Sequence, residues 1–128
     1  MSVNPCFAQN RDSVLVASDK PILGEGTYKV SLKEVNKTGR VEKLPGSVYL
    51  KNGKIFSSFS ELNGFPKVTY IASLDSAGAD DRITFTAEST KSNGEVLKWE
   101  GTIVGDKISG KAFRNFTGST YYFEGKLN

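Results

Sequence analysis

Residues 97–113 read LKWEGTIVGDKISGKAF, and the reading of this stretch decides the fold. Val104-Gly105-Asp106-Lys107 carries the glycine-first pair of a two-residue type II′ hairpin turn. On both sides of it apolar and polar residues alternate, the period-two signature of strands with one packed and one solvated face. With the turn placed there, Ile103 faces Ile108, Gly101 faces Gly110, Trp99 faces Ala112 and Leu97 faces Arg114. The other face carries Lys98, Glu100, Thr102, Lys107, Ser109 and Lys111. Glycines thus stand opposite each other on the face that should be packed. Glycine in a strand adds no side chain to a core, so that space belongs either to neighbouring aromatics or to a ligand.

Neighbouring segments extend the pattern. A four-residue loop at Asn115–Gly118 pairs Ala112 with Tyr121, Gly110 with Phe123 and Ile108 with Gly125. Small residues then face large ones, as interdigitated packing requires. Lys51-Asn52-Gly53-Lys54 is a type I′ hairpin signal. The alternation predicts eight strands, at 26–35, 46–51, 54–59, 67–74, 82–89, 95–104, 107–114 and 119–127, with a single helical turn near Ser60–Asn63. An extra short strand is conceivable at Ser13–Ala17. A two-residue turn at Asn93-Gly94 would set Ile83, Phe85 and Ala87 against the polar face of the next strand. The sequence therefore predicts a longer loop or a bulge there, with Phe85 beside Trp99.

Connections from residue 46 onward are short, so consecutive strands are antiparallel neighbours. Eight meandering strands with one apolar face close into an all-β, eight-stranded antiparallel up-and-down barrel, which removes exposed edges. A β-sandwich, the main rival, needs longer cross-overs.

Composition bounds the function. The chain has 128 residues, 38% hydrophobic and 24% charged, in keeping with one domain that needs no staple. Residues 1–20 read as a flexible N-terminal arm and 21–128 as a single barrel domain. No apolar run approaches a membrane span. Histidine is absent, which removes the commonest general base and metal ligand. Cys6 is the one cysteine, so neither an intrachain disulfide nor a multi-cysteine zinc site can form. The net charge is +3 and the lysines are spread along the chain. That spacing reads as solubility and edge protection, with no nucleic-acid footprint. Cys6-Phe7-Ala8-Gln9 is like the tail of a signal peptide, although no basic or long apolar region precedes it.

Three segments together, GSVYLKNGKIFSSFSELNGFPKVTY, LKWEGTIVGDKISGKAF and YYFEGKL, carry a resemblance covering roughly residues 46–127. The chain resembles a group of small, mostly exported bacterial proteins with a W-x-G-T-x-x-G-D-x-I-x-G hairpin, Trp99 to Gly110 here. The resemblance implies a lipocalin-like (calycin-like) barrel and a periplasmic or secreted location. It implies no catalytic residues.

Candidate sites follow from the register. Phe85, Trp99, Tyr121 and Phe123 form an inward aromatic cluster, either an apolar ligand wall or plain barrel core. Arg114 ends the inward row. It either anchors an anionic ligand group at the barrel mouth, or reaches solvent, or pairs with a carboxylate such as Glu88. Tyr28 and Tyr70 are further inward polar tips. Tyr49 and Phe56 should pair outward across the Asn52-Gly53 hairpin, as a partner contact or as ordinary cross-strand support. Asp80-Asp81 reads as turn chemistry rather than a calcium site. Gly24-Glu25-Gly26 is no phosphate loop, since no helix follows it.

The expected function is non-enzymatic. One expectation is a small apolar or amphipathic ligand held in the barrel by Phe85, Trp99, Arg114, Tyr121 and Phe123. The other is an envelope module with a filled core that binds a protein or surface polymer through outward aromatics. No cofactor, metal, nucleic acid or membrane span is expected, and the sequence leaves the oligomeric state open.

Overall fold

The computed structural model describes residues 23–75 and 81–128. The arm expected at 1–20, the strand considered at Ser13–Ala17, Cys6 and Asp80 lie outside those residues. The described chain is all-β apart from one short helix. The strands are β1 (Gly26–Val35), β2 (Val41–Lys51), β3 (Lys54–Ser57), β4 (Val68–Thr69), β5 (Ile71–Asp75), β6 (Arg82–Thr90), β7 (Val96–Val104), β8 (Lys107–Arg114) and β9 (Thr120–Leu127), with α1 (Ser58–Leu62) after β3. They form one antiparallel sheet in the order β4-β3-β2-β1-β9-β8-β7-β6-β5. This is a meander in which the last strand returns to pair with the first, giving a nearly closed up-and-down barrel.

Nine strands replace the expected eight because the run foreseen at 67–74 breaks at Tyr70. Its first part, β4, pairs back with β3, Ile55 opposite Val68. Its second part, β5, pairs onward with β6, Ile71 opposite Thr86. One length of chain thus serves both ends of the sheet, and the Tyr70 N–H bonds the Gly53 carbonyl at the break.

Two further boundaries differ from expectation. β2 begins at Val41 rather than near 46, and its first five residues pair with β1 while remaining exposed. They project past β3 and form a free edge of the sheet beside β1, so no burial pattern announces them. β3 stops at Ser57, where expectation ran to 59. There the Ser57 and Ser60 side chains accept from each other's backbone N–H groups (3.0 and 2.8 Å) and start α1. Gly64, at φ +82°, ends the turn.

The hairpins match the sequence. Asn52 and Gly53 both have positive φ, as a type I′ turn demands. Every pair expected across β7–β8 and β8–β9 is present, from Leu97–Arg114 to Ile108–Gly125. The β6–β7 connection spans residues 91–95, longer than two residues, so Ile83, Phe85 and Ala87 face the packed side of β7. Ala87 stands opposite Trp99, however, and Phe85 opposite Gly101, one step from the place expected for it.

One hydrophobic cluster forms the core inside the barrel. Val48, Leu50, Ile55, Leu97 and Ala112 are wholly buried, with Tyr28, Leu32, Ile103 and Ile108 almost so. Phe59 on α1 and Phe65 just after it close the end where β1, β3, β6 and β8 finish. No helix among the described residues is long and apolar enough to cross a membrane.

Candidate functional site

The inward register brings together all five candidate residues. Phe85 comes from β6, Trp99 from β7, Arg114 from β8, and Tyr121 and Phe123 from β9. The four aromatics are 1–4% exposed. Trp99 meets Phe123 edge to face, centroids 5.9 Å apart, and Tyr70 meets Phe85 at 6.4 Å. Phe59, which sequence reasoning missed, stands against two of them: its ring stacks on Tyr121 at 4.5 Å and tilts onto Trp99 at 5.3 Å. One signal for it did exist: Phe59 shares the odd parity of inward Ile55 in the strand expected at 54–59, although SSFSELNG reads as a strand end followed by a polar turn.

The glycines on this face are occupied space. A methyl group on Gly101 would collide with the Phe85 ring and lie 2.8 Å from the Ser109 carbonyl oxygen. On Gly110 it would lie 2.8 Å from Phe123 and closer still to the Glu100 carbonyl. On Gly125 it would run into the backbone at Lys29 and Val30. Two of the three glycines therefore accommodate aromatic rings, and the third lets β9 pass close to β1.

Arg114 ends the inward row, as expected, but Glu88 is not its partner. Glu88 lies on the outer face within 3.9 Å of Lys98. Arg114 instead grips Glu95, a 2% exposed carboxylate in the β6–β7 loop. Nε donates to Oε2 at 2.9 Å and Nη2 to Oε1 at 3.0 Å, the bidentate fork that suits a partly desolvated pair. Nη1 donates to Asn63 Oδ1 at 3.0 Å and approaches the Tyr121 hydroxyl at 3.4 Å. Lys91 donates to Glu95 Oε1 at 3.3 Å. Phe65 receives Lys91 and Arg114 against its ring, at 5.0 and 5.3 Å from its centroid. The Arg114 guanidinium holds the Glu95 carboxyl below its ordinary value against the opposing effect of burial, and Lys91 adds to the lowering. Burial raises Tyr121. One signal for Glu95 did exist: it shares the odd parity of Leu97 and Trp99, the inward row that Arg114 faces.

At the other end, the Tyr28 hydroxyl donates to the Gly24 carbonyl at 2.9 Å and Tyr70 to that of Leu23 at 2.6 Å. Burial pushes Tyr70 up to about 12, helped by Glu25 and Tyr28. Outside, Tyr49 and Phe56 do stack across the hairpin, centroids 4.7 Å apart. Lys67 and Lys51 lie over them, at 4.3 Å from the Phe56 ring and 5.6 Å from the Tyr49 ring, and both rings are half-buried.

Chemically, the interior pairs a buried apolar cluster with a hydrogen-bonded polar group around Arg114 and Glu95. Each nitrogen of Arg114 already has a partner, and the rings of the expected ligand wall are in contact with one another, with Phe59 or, for Phe85, with Tyr70. Compared with family models, with curated proteins and with solved structures, the chain matches none.

Proposed function

We propose that this chain is an exported, non-enzymatic, lipocalin-like barrel of the bacterial envelope whose interior is core and whose outer surface binds a partner. The observation that carries this reading is Phe59 packed on Trp99 and Tyr121, two of the rings expected to line an interior ligand. The commitment of Arg114 to Glu95 and Asn63 supports it, because the residue best suited to anchor a carboxylate or phosphate already holds one. A small apolar ligand would require α1 to withdraw.

The test is native mass spectrometry of protein purified gently from its own host, with Trp99 fluorescence followed during titration with fatty acids, isoprenoids and aromatic dyes. The expected result is no adduct and no change in emission. A discrete adduct lost on denaturation would overturn the filled-core reading and return the barrel to ligand binding.

A further inference from the structure

The lysines that look scattered in the sequence are gathered by the strand pairing. On the outer face Lys107 of β8 stands opposite Lys126 of β9, which stands opposite Lys29 of β1. Four residues along the same strands, Lys111 faces Tyr122, Tyr122 faces Lys33, and Lys33 faces Lys43 of β2. All six lysines are exposed. The two rows lie about 13 Å apart along the strands. Between them runs a row of Ser109, Glu124, Ser31 and Pro45. The chain's net charge is only +3, so this face holds much of its positive excess.

Neither edge protection nor plain solubility explains the arrangement. Lysine guards exposed sheet edges, which accounts for Lys43 on the part of β2 that projects past β3, but Lys29, Lys33, Lys107, Lys111 and Lys126 lie on β1, β8 and β9, which are paired on both sides. Like charges directly opposite across strands destabilise a sheet. The neighbouring β6–β7–β8 face avoids that, setting Glu88 against Lys98 and Glu100 against Lys111. Among the described residues Lys29, Lys43, Lys107 and Lys126 have no carboxylate within ion-pair distance. Three pairs of lysines thus stand opposite each other, an arrangement that is unfavourable for the sheet itself.

The same face is grooved. One groove of about 880 Å3 is bordered by Lys33, Lys43, Ser109 and Tyr122. A second, of about 700 Å3, is bordered by Lys29, Ser47 and Lys126. Ser31, Pro45 and Glu124 line both, so the two are continuous.

We propose that this face binds an acidic polysaccharide, with the opposed lysines taking its acidic groups and the Glu124–serine row taking its hydroxyls. The continuity of the grooves suits a chain rather than a single small anion. Glu124 sits among Lys29, Lys33, Lys107 and Lys111 by diagonal register, yet is ion-paired to none of them. A carboxylate there repels phosphates laid along the middle row, as in a nucleic acid or a lipid headgroup layer, whereas it accepts O–H donation from a sugar whose acidic groups are turned to the lysine rows. Exposed Tyr122 offers a ring edge and a hydroxyl at the groove wall. The proposal rests on the reading that the outer surface is the working one.

The experiment titrates the intact protein with fluorescently labelled polygalacturonate oligomers, with neutral dextran, phosphatidylglycerol vesicles and oligothymidylate as comparisons. Polygalacturonate is expected to bind tightest, and more weakly as salt rises. Lys29→Gln/Lys126→Gln and Lys33→Gln/Lys43→Gln should each weaken it by about tenfold. Lys54→Gln, off this face, should leave it unchanged. Glu124→Lys should weaken polygalacturonate binding while strengthening that of vesicles and oligothymidylate. Tighter binding of vesicles or of oligothymidylate by the wild type overturns the proposal, as does stronger polygalacturonate binding by Glu124→Lys. Absence of polygalacturonate binding, or equal binding of dextran, overturns it too, and with no adduct in the mass spectrum it leaves the filled-core reading standing. An interior adduct alongside polygalacturonate binding overturns the filled-core reading alone.

Discussion

Arg114 and Glu95 are 19 residues apart in the chain and meet through two parallel hydrogen bonds of 2.9 and 3.0 Å at the closed end of the barrel. With Asn63 bonded to the same guanidinium at 3.0 Å, the pair ties the β6–β7 loop, the end of β8 and the segment after α1 into one unit. Removing one partner strands the other. Arg114→Met leaves Glu95 buried with only the longer Lys91 contact of 3.3 Å, which should cost up to about 3–5 kcal/mol. Arg114→Met/Glu95→Leu should recover most of that loss. Urea midpoints of the two variants check it, and equal midpoints would show that the pair is not coupled.

Glu95 also sets an acid limit. Its carboxyl is held below the ordinary value of 4.5 in the folded state, so the unfolded chain takes up the proton first. The stabilisation is therefore complete above the ordinary carboxylate range and is lost as the pH falls through the folded value. Wild type should lose more urea resistance between neutral and strongly acidic pH than Glu95→Gln does. Parallel pH profiles for the two proteins would sink this assignment.

Tyr70 sets the opposite limit. Its hydroxyl is raised from 10.0 to about 12, so the unfolded chain loses that proton first. Stability is intact below 10 and falls as the pH rises through the folded value. Absorbance at the tyrosinate band should show a late-titrating hydroxyl that disappears in Tyr70→Phe, and that variant should unfold less readily at alkaline pH.

Phe59 acts as a plug. Phe59→Ala should cost about 3–5 kcal/mol and open a void between Trp99 and Tyr121. A small aromatic dye should then quench or shift Trp99 emission in the variant and leave the wild type untouched. Unchanged emission in the variant would show that the end collapses around the missing ring.

The glycines differ in what surrounds them. Gly125 abuts backbone of β1, which cannot rotate away, whereas Gly101 abuts the Phe85 ring as well as a carbonyl. Gly125→Ala should therefore destabilise by about 1–3 kcal/mol or more, as overpacking does. The loss should persist when Phe123 is reduced to Leu. Full rescue by Phe123→Leu would place the clash in the ring instead.

The amino-acid sequence by itself determined the hairpins, the β7–β8–β9 register and the inward placement of Phe85, Trp99, Arg114, Tyr121 and Phe123. Those features depend on local turn chemistry and on a two-residue period, both of which are written in contiguous residues. The tertiary structure decided the rest. Phe59 shares the inward parity of Ile55, but it reaches Trp99 and Tyr121 from α1 because β3 yields to a serine-capped turn where alternation predicted more strand. Glu95, rather than Glu88, receives Arg114 because Glu88 falls on the even, outward parity while a five-residue loop folds Glu95 inward. The break at Tyr70 arises because one run must pair with β3 on one side and β6 on the other. Lys29 meets Lys126 only because β9 closes onto β1, and no local pattern states how two strands at opposite ends of a chain will align. Long-range pairing turned dispersed lysines into a face, since charges set four residues apart along a strand carry no sign of which strands will lie beside them.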